Sequence, residues 1–518
     1  MILLKDLIKK KFPFQFKYYH KSPGLLLSDR YRLDHNLRSI ISTSTINKYN
    51  ALNPYVISDK VRFDKNNFFK IFNIKKLNVN FLNSKILHIY ILPKILINFI
   101  LFYFKSIFKK DKIEWLIREY KCENINIGDL IYDMYIRYEL KFIKPNIYSL
   151  DFIKHLMNGI YKIFVIKYYI QKYNVKCIIS NQKGYISYGN LLLRYGLKKK
   201  ILTILNGYNF IKIYKNYNET MSSPFKIEAR LLNKFKVSKS KILQFYKDRT
   251  NFKTHGSYVP IATLEKVYGK RKNRKFKELM KNKKKYFKFI NIFALHCFSD
   301  APHTSELVFK DHYDQFIETI KFLKENNPQS LWIIKPHPGR GDYGEKGLVE
   351  EKIKLLNSEN ILVCPENVNN LELFNYASNL VTGISTISLE FACYGKKSII
   401  AGEAPFYQEK LFLKPKNKDE YFKMIEGIEN FDVNLNYEEI LLSKKILFLL
   451  ENSMNVNLSQ STLLPDFRLK RFQSDEGYIK KLKHNLLNNK INTIYDDPMY
   501  KDIKNILRKI KFPNKNLV

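Results

Sequence analysis

The stretch LVTGISTISLEFACYGKKSIIA at residues 380–401 decides the fold of this chain. Its first three residues, 380–382, form an apolar run that predicts a buried strand, and a short turn follows. Residues 387–394 then predict a helix that ends at Gly395, after which residues 398–401 predict a second strand. Short apolar strands joined through a turn and a helix are typical of an open parallel sheet.

The same alternation of strand and helix fills the sequence before that stretch. Apolar, strand-like runs lie at residues 286–296, 331–334 and 361–364, and helical periodicity covers residues 311–326 and 370–377. The sequence therefore predicts a doubly wound, Rossmann-like α/β domain. Ligands of such sheets bind at the carboxyl ends of the strands.

The first half of the chain contains a second unit of this kind. Residues 175–180 and 201–205 are apolar runs that predict parallel strands, and residues 185–196 between them predict a helix ending in glycine. Residues 151–172 have helical periodicity, whereas the first 120 residues indicate only a mixed α/β structure. Strand, helix and strand in this order again predict a parallel sheet.

These patterns divide the sequence into four parts. Residues 1–265 are expected to form an N-terminal α/β domain, and residues 286–470 a C-terminal Rossmann-like domain. The lysine-rich segment KVYGKRKNRKFKELMKNKKK, residues 266–285, is the predicted linker, and residues 471–518 are a predicted helical tail. The basic segment lacks the interleaved aromatic residues of a nucleic-acid platform, so we interpret it as solvated linker and expect no nucleic-acid partner.

Composition limits the function classes that remain. A chain of 518 residues with 45% hydrophobic residues can bury more than one core. Its formal charge of +42 indicates an anionic partner, such as a membrane face or a phosphorylated substrate, or else reflects AT-rich codon usage. The five cysteines include no C-x-x-C pair, and the N-terminus resembles no signal peptide. Both features favour a cytoplasmic protein without a structural metal.

The most hydrophobic stretch covers residues 86–108. Pro93 and Lys94 interrupt it and leave about ten apolar residues at 95–104, fewer than the roughly 20 that cross a bilayer. Three lysines follow within four residues, at 109–112. The stretch therefore predicts a helix that is either buried or bound at a membrane surface, rather than one that spans the membrane.

The turn at residues 383–386 is the first candidate binding loop. Gly383 allows a tight turn, and the hydroxyls of Ser385 and Thr386 lie at a predicted helix N-terminus, where free N–H groups favour an anion such as a diphosphate. In the alternative interpretation, one hydroxyl simply caps the helix. Glu390, one helical turn further, is expected either to bind ribose hydroxyls or to be an ordinary surface acid.

The second candidate loop follows the strand at residues 331–334. Pro336 and Pro338 restrict the backbone around His337, so the imidazole is expected to be held in place. Such a ring can donate to a phosphate oxygen, or protonate a leaving group if it titrates near neutrality. Arg340 would add positive charge to the same loop.

The third loop contains Asp300, with His296 and His303 close by in sequence. A carboxylate at the mouth of a cleft can act as general base or orient an acceptor hydroxyl. It can equally cap the turn before Pro302, and the sequence alone leaves both interpretations open.

Several of these motifs together resemble the capsule polysaccharide biosynthesis family. That family groups with bacterial Kdo-type and polysialic-acid-type glycosyltransferases and is more distantly similar to the CDP-glycerol glycerophosphotransferases of teichoic acid synthesis. The resemblance covers residues 127–421. The motifs that carry it are IGDLIYDMYIR at 127–137, ISNQKGYISYGN at 179–190, CFSDAPH at 297–303, DxYxxFIETI at 311–320, WIIKPHP at 332–338 and VTGISTISLEFACYGKKSII at 381–400.

The resemblance implies a GT-B-like fold of two facing Rossmann-like domains, with the acceptor bound by the N-terminal domain and the donor nucleotide by the C-terminal one. It implies no obligatory metal and no other cofactor. The family's His-Pro motif falls on His337 and Pro338, its phosphate-binding hydroxyls on Ser385 and Thr386, and its acidic helix residue on Glu390. One departure is the turn after residue 401, where the family often has a glycine-rich segment and this chain has Gly-Glu-Ala.

The expected activity is transfer of a sugar from a nucleotide-activated donor to a bacterial surface polysaccharide. The acceptor would be lipid-linked or an oligosaccharide, and the protein would work in the cytoplasm with the inner membrane surface as an additional partner. A glycerophosphotransferase and a non-enzymatic assembly or export factor are the alternatives. A hydrolase is disfavoured because residues 383–387 approach G-x-S-x-G but lack the second glycine.

Overall fold

Two compact units make up the part of the chain that the computed structural model describes. The first contains Met1–Tyr132, Ile147–Thr220 and Ser453–Val518, and the second contains Asp133–Asn146 and Met221–Asn452. The described residues are 4–20, 22–28, 33–48, 50, 52–57, 68–77, 85–181, 187–207, 211–220, 232, 237–251, 273–300, 302–304, 306–366, 368–404, 406–452, 458, 461–465 and 475–508.

The first unit is built on a six-stranded sheet with the order β3-β2-β1-β6-β7-β8, in which only β8 is antiparallel to its neighbour. Its central strands are buried along their whole length, as expected for apolar runs covered on both faces. A small hairpin joins β4 and β5. The strands are β1 (Gly24–Ser28), β2 (Asn53–Ile57), β3 (Lys75–Lys76), β4 (Lys121–Cys122), β5 (Ile125–Asn126), β6 (Cys177–Ser180), β7 (Leu202–Asn206) and β8 (Ile211–Tyr214).

The second unit has an all-parallel sheet with the order β11-β10-β9-β12-β13-β14. Counted within each sheet, both units have the strand order 3-2-1-4-5-6 of a Rossmann fold. The predicted α/β, GT-B-like fold class with two Rossmann-like domains is confirmed. The strands are β9 (Ile290–Ala294), β10 (Leu331–Lys335), β11 (Ile361–Val363), β12 (Asn379–Thr382), β13 (Ser398–Ile400) and β14 (Phe412–Leu413).

Helices cover the sheets of both units, and the unit boundary at Asp133 falls within one of them. The first unit contains Leu4–Lys11, Leu33–Asn47, Phe68–Ile71, Lys85–Ile107, Lys112–Glu119, Gly128–Glu139 up to that boundary, Leu150–Lys172, Tyr188–Lys198, Asp475–Asn488 and Pro498–Leu507. The second contains Lys239–Thr250, Arg274–Lys283, His312–Asn326, Leu348–Leu356, Asn370–Phe374, Ile387–Tyr394, Lys418–Glu426 and Tyr437–Asn452.

The C-terminal segment is helical, as the sequence predicts, but it belongs to the core of the first unit. Leu482 and Ile503 lie in one apolar cluster with Ile8 of the first helix and Leu25 of β1. The predicted division at residue 470 therefore differs from the structure, in which the second unit ends at Asn452. Burial of apolar side chains against the first sheet is what holds this segment in place.

The predicted linker also differs from the structure. Its residues 266–272 lie outside the described residues, but Arg274–Lys283 is a helix of the second unit. Phe276 and Met280, four residues apart and therefore on one helical face, are buried in the core beneath the second sheet. The lysines occupy the opposite face, so this half of the segment is an amphipathic element of the domain.

The long apolar stretch forms one continuous helix, Lys85–Ile107, which passes through Pro93 without a break. Pro93 and Lys94 thus interrupt the apolar run of the sequence but not the helix that it forms. Pro93 lies on the exposed side of the helix, where water can bind the carbonyl group that loses its N–H partner. Among the described helices, none has the length and apolar character needed to cross a membrane.

A buried ion pair joins two helices within the first unit. The Arg194 guanidinium donates to both carboxylate oxygens of Asp129, at 2.7 and 2.6 Å, and to the backbone oxygen of Asn126 at 2.7 Å. Both side chains are almost fully buried. The pair ties the helix Tyr188–Lys198 to the segment that follows the small hairpin, and neither charge has solvent to replace its partner.

Replacing Asp129 with asparagine should therefore lower the free energy of unfolding by about 3–5 kcal/mol, because a buried guanidinium loses its counter-charge. Urea-induced unfolding of the variant checks this. Asp151→Asn is the matched control, since Asp151 pairs with the exposed Lys154 and its loss should change stability by less than about 1 kcal/mol. Equal effects of the two substitutions would contradict the structural role of the buried pair.

Candidate functional site

The three candidate loops begin at the same level of the second sheet. β9 lies between β10 and β12, and the register pairs Ala294 with Lys335 on one side and with Thr382 on the other. The loops after these three strands therefore leave the same edge of the sheet. The strand order reverses between β9 and β12, which is where doubly wound sheets bind their ligands.

His337 is held at the end of β10 by contacts to one of its ring nitrogens. The backbone N–H of Gly339 donates to Nδ1 at 3.1 Å, and the Cys297 Sγ lies 3.0 Å from the same nitrogen. Because Nδ1 accepts a hydrogen bond, the proton of the neutral ring is assigned to Nε2. The loop thus presents an N–H donor on a ring that remains partly exposed.

The electrostatic surroundings of His337 keep it neutral. Burial lowers the pKa of His337 from 6.5 to about 3, the neighbouring His296 also lowers it, and Asp300 acts in the opposite direction. The expectation that this ring titrates near neutrality is therefore wrong. At neutral pH the neutral ring can donate a hydrogen bond from its Nε2–H to an anion. It lacks the second proton of an imidazolium, which is the one that a general acid would transfer.

Three imidazole rings form a row in this site. The His296 ring stacks on His337 with centroids 5.5 Å apart and on His312 with centroids 4.4 Å apart. Burial and the nearby histidines lower the pKa of His312, so this ring is also neutral. His312 is the first residue of its helix, and its two ring nitrogens have no hydrogen-bond partner among the described residues. The sequence analysis named His296 but missed His312, because an isolated histidine after a helix cap forms no pattern.

The row of histidines ends at the turn that follows β12. A Cβ atom on Gly383 would lie 3.4 Å from Nδ1 of His312 and only 2.9 Å from Oε1 of Gln315. Only a residue without a side chain allows this close approach. The structure therefore brings the His-Pro loop and the Gly383 turn together through a continuous series of ring contacts.

The hydroxyls that follow Gly383 are partly exposed at the start of the helix Ile387–Tyr394. Thr386 has helical backbone angles at the N-cap position, and its side chain makes no capping hydrogen bond within the described chain. The Ser385 backbone oxygen accepts from the N–H and hydroxyl of Ser388. Simple capping by Thr386 is thus not observed.

Glu390 is not the surface acid of the alternative interpretation, because its carboxylate is buried. Its Oε1 accepts from Arg249 at 2.9 Å, and its Oε2 accepts from the side-chain amide of Asn370 at 2.6 Å. Both oxygens are engaged within the domain, so this carboxylate holds the helix Ile387–Tyr394 against its neighbours. A role toward ribose stays a prediction.

Arg340 is likewise engaged by protein groups. Its guanidinium binds Glu350 at 2.9 and 2.6 Å and Glu366 at 2.9 Å, and these two carboxylates raise its pKa against the effect of burial. Because two carboxylates balance its single positive charge, Arg340 holds the loop after His337 in place and contributes little positive potential at the candidate site. Binding of Arg340 to a donor phosphate stays a prediction, and so does contact of Pro338 with the ribose or base of the donor.

Asp300 lies in the loop after β9, where its backbone N–H closes a turn onto the Cys297 oxygen. Its carboxylate faces the Tyr343 hydroxyl, and burial and this charge raise the pKa of Tyr343. The Arg137 guanidinium covers the Tyr343 ring at 3.8 Å. Asp300 is partly exposed, as a base would need to be.

The nearby His303 is engaged differently. Its Nδ1 lies 2.6 Å from a carboxylate oxygen of Asp133, and its Nε2 lies 2.8 Å from the Lys310 carbonyl oxygen. Both partners accept hydrogen bonds, so this ring ties the loop to the segment that begins at Asp133. It fastens the loop and takes no part in the row of stacked rings described above.

Glu345 is a supporting residue that the sequence analysis missed. Its buried carboxylate accepts from the backbone N–H groups of Phe298 and Ser299 at 3.0 and 2.9 Å and from the Ser299 hydroxyl at 3.0 Å. These bonds fix the start of the loop that carries Asp300. No local pattern signals this contact, because 46 residues separate Glu345 from Ser299.

Comparisons with known proteins return structural likenesses but no sequence match. No protein-family model and no curated protein matches the chain. Among solved structures, it is similar to the Thermosulfurimonas dismutans KpsC β-Kdo 2,4 transferase, at 13% identity over 52% of this chain and 79% of that chain, with a TM-score of 0.30.

Two other structures resemble it over more of its length. One is the Methanocaldococcus jannaschii UDP-GlcNAc 2-epimerase solved with UDP-GlcNAc and UDP. The likeness has 14% identity and a TM-score of 0.27, and it covers 82% of this chain and 98% of that chain. The other is Acinetobacter baumannii MurG. The likeness has 9% identity and a TM-score of 0.21, and it covers 94% of this chain and 100% of that chain. At such TM-scores, no activity, substrate or site follows for this chain, and those inferences rest on its own residues.

The contact at Gly383 predicts the effect of adding one methyl group. Gly383→Ala should lower the free energy of unfolding of the second unit by about 1–3 kcal/mol, because the side chain of the buried Gln315, 2.9 Å from the added methyl group, must move. Gly341→Ala is the matched control, since a Cβ there meets nothing within 4 Å. Thermal and urea unfolding measure both, and a Gly383 variant as stable as the control would refute the close approach.

The low pKa of His337 predicts acid sensitivity. The unfolded chain protonates this residue near pH 6.5 and the folded protein only near pH 3, so the unfolded state binds more protons in between. Stability should therefore fall as pH decreases through that window, by about 2 kcal/mol for this group at pH 5. Urea unfolding at pH 7 and pH 5 should show a smaller loss in His337→Gln than in the wild type. The same loss in both proteins would show that the ring is charged or solvated when folded.

Proposed function

We propose that this chain is a glycosyltransferase that moves a sugar from a nucleotide-activated donor to a growing bacterial surface polysaccharide of the capsule or O-antigen type. The observation that carries the proposal is the row of ring contacts that links His337, through His296 and His312, to the Gly383 turn at the switch point of a Rossmann-type sheet. The resemblance of the same loops to capsule polysaccharide biosynthesis proteins supports it.

The donor phosphate is assigned to hydrogen-bond donors of the second unit. His337 lies in the loop that follows β10, and Ser385 and Thr386 lie in the loop that follows β12; both strands end at the same level of the sheet as β9. A nucleoside phosphate leaving group gains negative charge as its bond to the sugar breaks. Fixed donors stabilise that charge more in the transition state than in the ground state, which is the condition for catalysis.

In the proposed reaction, the acceptor hydroxyl oxygen attacks the anomeric carbon while the bond from that carbon to the phosphate oxygen breaks. Asp300 takes the proton of the attacking hydroxyl, and the nucleotide leaves as an anion that needs no proton from His337. A neutral His337 fits this scheme, because a hydrogen-bond donor suffices where the leaving group departs as a phosphate. No metal is required in this scheme.

The acceptor is proposed to be lipid-linked or an oligosaccharide, bound on the side of the first unit, and the protein to work in the cytoplasm at the inner face of a membrane. A CDP-glycerol-type glycerophosphotransferase would use the same phosphate site but attack phosphorus. The two activities differ in the transferred group, so product analysis separates them.

The test is to incubate purified protein with labelled CMP-, UDP- and CDP-linked donors and identify the transferred group, with and without EDTA. Sugar transfer that survives EDTA is expected. Transfer of glycerol phosphate would replace the proposal by the phosphotransferase, and loss of activity with EDTA would contradict the metal-free scheme. Donor binding without transfer to any acceptor would favour an assembly or export factor.

Variants of the two loops test the assigned roles. His337→Ala and the Ser385→Ala/Thr386→Val pair should each lower kcat/KM by about 10- to 1,000-fold, because each removes donors to the leaving phosphate. His337→Gln keeps an N–H group and should recover part of the activity if the ring acts as a donor. Ser358→Ala, a hydroxyl at the amino end of β11, is the control and should stay active. Full activity of His337→Ala would refute the proposed site.

A further inference from the structure

The helix Lys85–Ile107 presents an apolar face to the solvent. Six large apolar side chains on and just after it are more than half exposed, with exposed fractions from 56% to 81%. A helix on a protein surface ordinarily turns charged and polar residues outward. The exposed residues are Ile89, Ile97, Ile100, Phe104, Ile107 and Phe108.

This helix cannot turn to hide that face, because its other side is packed in the first unit. Ile91, Ile95 and Phe102 are buried at helical spacing. The Phe102 ring contacts the rings of Trp115 and Phe152, on the two neighbouring helices, at centroid distances of 5.4 and 5.9 Å. The outward face is therefore a fixed surface of the folded unit.

Neighbouring residues extend the apolar surface. The Tyr103 ring stacks on Tyr148 with centroids 5.6 Å apart, and the Tyr103 hydroxyl donates to the Ile147 backbone oxygen. Tyr148 and Leu150 are themselves exposed. Apolar surface that continues from one helix to the next marks an interaction site rather than scattered exposed residues.

The surface is bordered by positive charge. Residues 85–112 contain six lysines and one aspartate, and Lys105, Lys109, Lys110 and Lys112 cluster at the carboxyl end of the helix. Lys112 lies over the Tyr148 ring at 5.8 Å. An apolar face with aromatic residues and a lysine border matches the boundary between the acyl chains and the headgroups of an anionic bilayer.

We propose that this face, residues 89–108 with Tyr148 and Leu150, binds an anionic membrane by lying in its interfacial plane. The apolar residues enter the acyl boundary, and the lysines contact phosphate headgroups. A second copy of the chain fits less well, because residues 85–112 contain one aspartate for six lysines and this face therefore offers little negative charge to the lysines of another copy. The inference rests on the membrane location in the proposed function, but its test measures vesicle binding and not transfer.

The experiment is co-sedimentation of the full chain with vesicles of phosphatidylcholine alone or with about one third phosphatidylglycerol. The wild type should bind the anionic vesicles and lose binding as salt increases. Ile100→Ser/Phe104→Ser should weaken that binding at least about tenfold by removing inserted side chains. The exposed pair Tyr286→Ser/Leu355→Ser, in the second unit, is the matched control and should bind like the wild type.

The charge contribution is tested separately. Lys105→Gln/Lys110→Gln should weaken binding to anionic vesicles about tenfold or more, whereas Lys275→Gln/Lys281→Gln makes the same change in net charge elsewhere and should have little effect. All of these side chains are exposed, so circular dichroism and thermal unfolding should be unchanged. Donor binding without vesicles should also be unchanged, which separates this inference from the proposed transfer.

Three outcomes would overturn the proposal. The first is a wild-type protein that does not sediment with anionic vesicles. The second is an Ile100→Ser/Phe104→Ser variant that binds them as well as the wild type. The third is a wild-type dimer in sedimentation velocity that this variant converts to a monomer while vesicle binding persists, because the face would then serve a second copy of the chain.

Discussion

Stacking of three imidazole rings is the interaction on which the candidate site depends. His296 lies between His337 and His312, at ring distances of 5.5 and 4.4 Å, and this row joins two loops that follow different strands. The row can form only because the parallel register places the ends of β9, β10 and β12 at one level. Burial and the neighbouring histidines lower the pKa of His312, and burial together with His296 lowers that of His337, so a positive charge on both of these rings is unfavourable there.

Two arginines near the site are paired with carboxylates of the protein, in contrast to the excess of positive charge in the chain as a whole, which is +42. Arg340 is held by Glu350 and Glu366, and Arg249 is held by Glu390. The groups assigned to the donor phosphate in the proposed reaction are dipoles: a ring N–H, two hydroxyls and a helix N-terminus. Dipoles fixed by the fold need little reorganisation when charge develops, which suits stabilisation of a leaving phosphate more than capture of any anion from solution.

Local pattern was enough to predict five of the six strands of the second sheet, β9 to β13, whereas β14 was not predicted. The helix Ile387–Tyr394 has the predicted bounds, because an apolar run, a glycine stop and a turn all agree there. What the sequence did not reveal depends on contacts between distant residues. Three such contacts have no sequence periodicity that predicts them. They are the packing of the helices Asp475–Asn488 and Pro498–Leu507 on the first sheet, the pairing of Glu390 with Arg249 across 141 residues, and the approach of His312 to Gly383.

Two lysine-rich regions show why the net charge alone did not reveal whether the lysines bind an anionic partner or only reflect AT-rich codon usage. The helix Arg274–Lys283 turns its lysines outward and buries Phe276 and Met280, so its charge is that of an ordinary solvated face. The helix Lys85–Ile107 has the opposite arrangement, with apolar side chains outward and lysines at one end. Composition counts both regions equally. The difference lies in which face the fold leaves uncovered, and an uncovered apolar face beside lysines suits a partner that is both apolar and anionic.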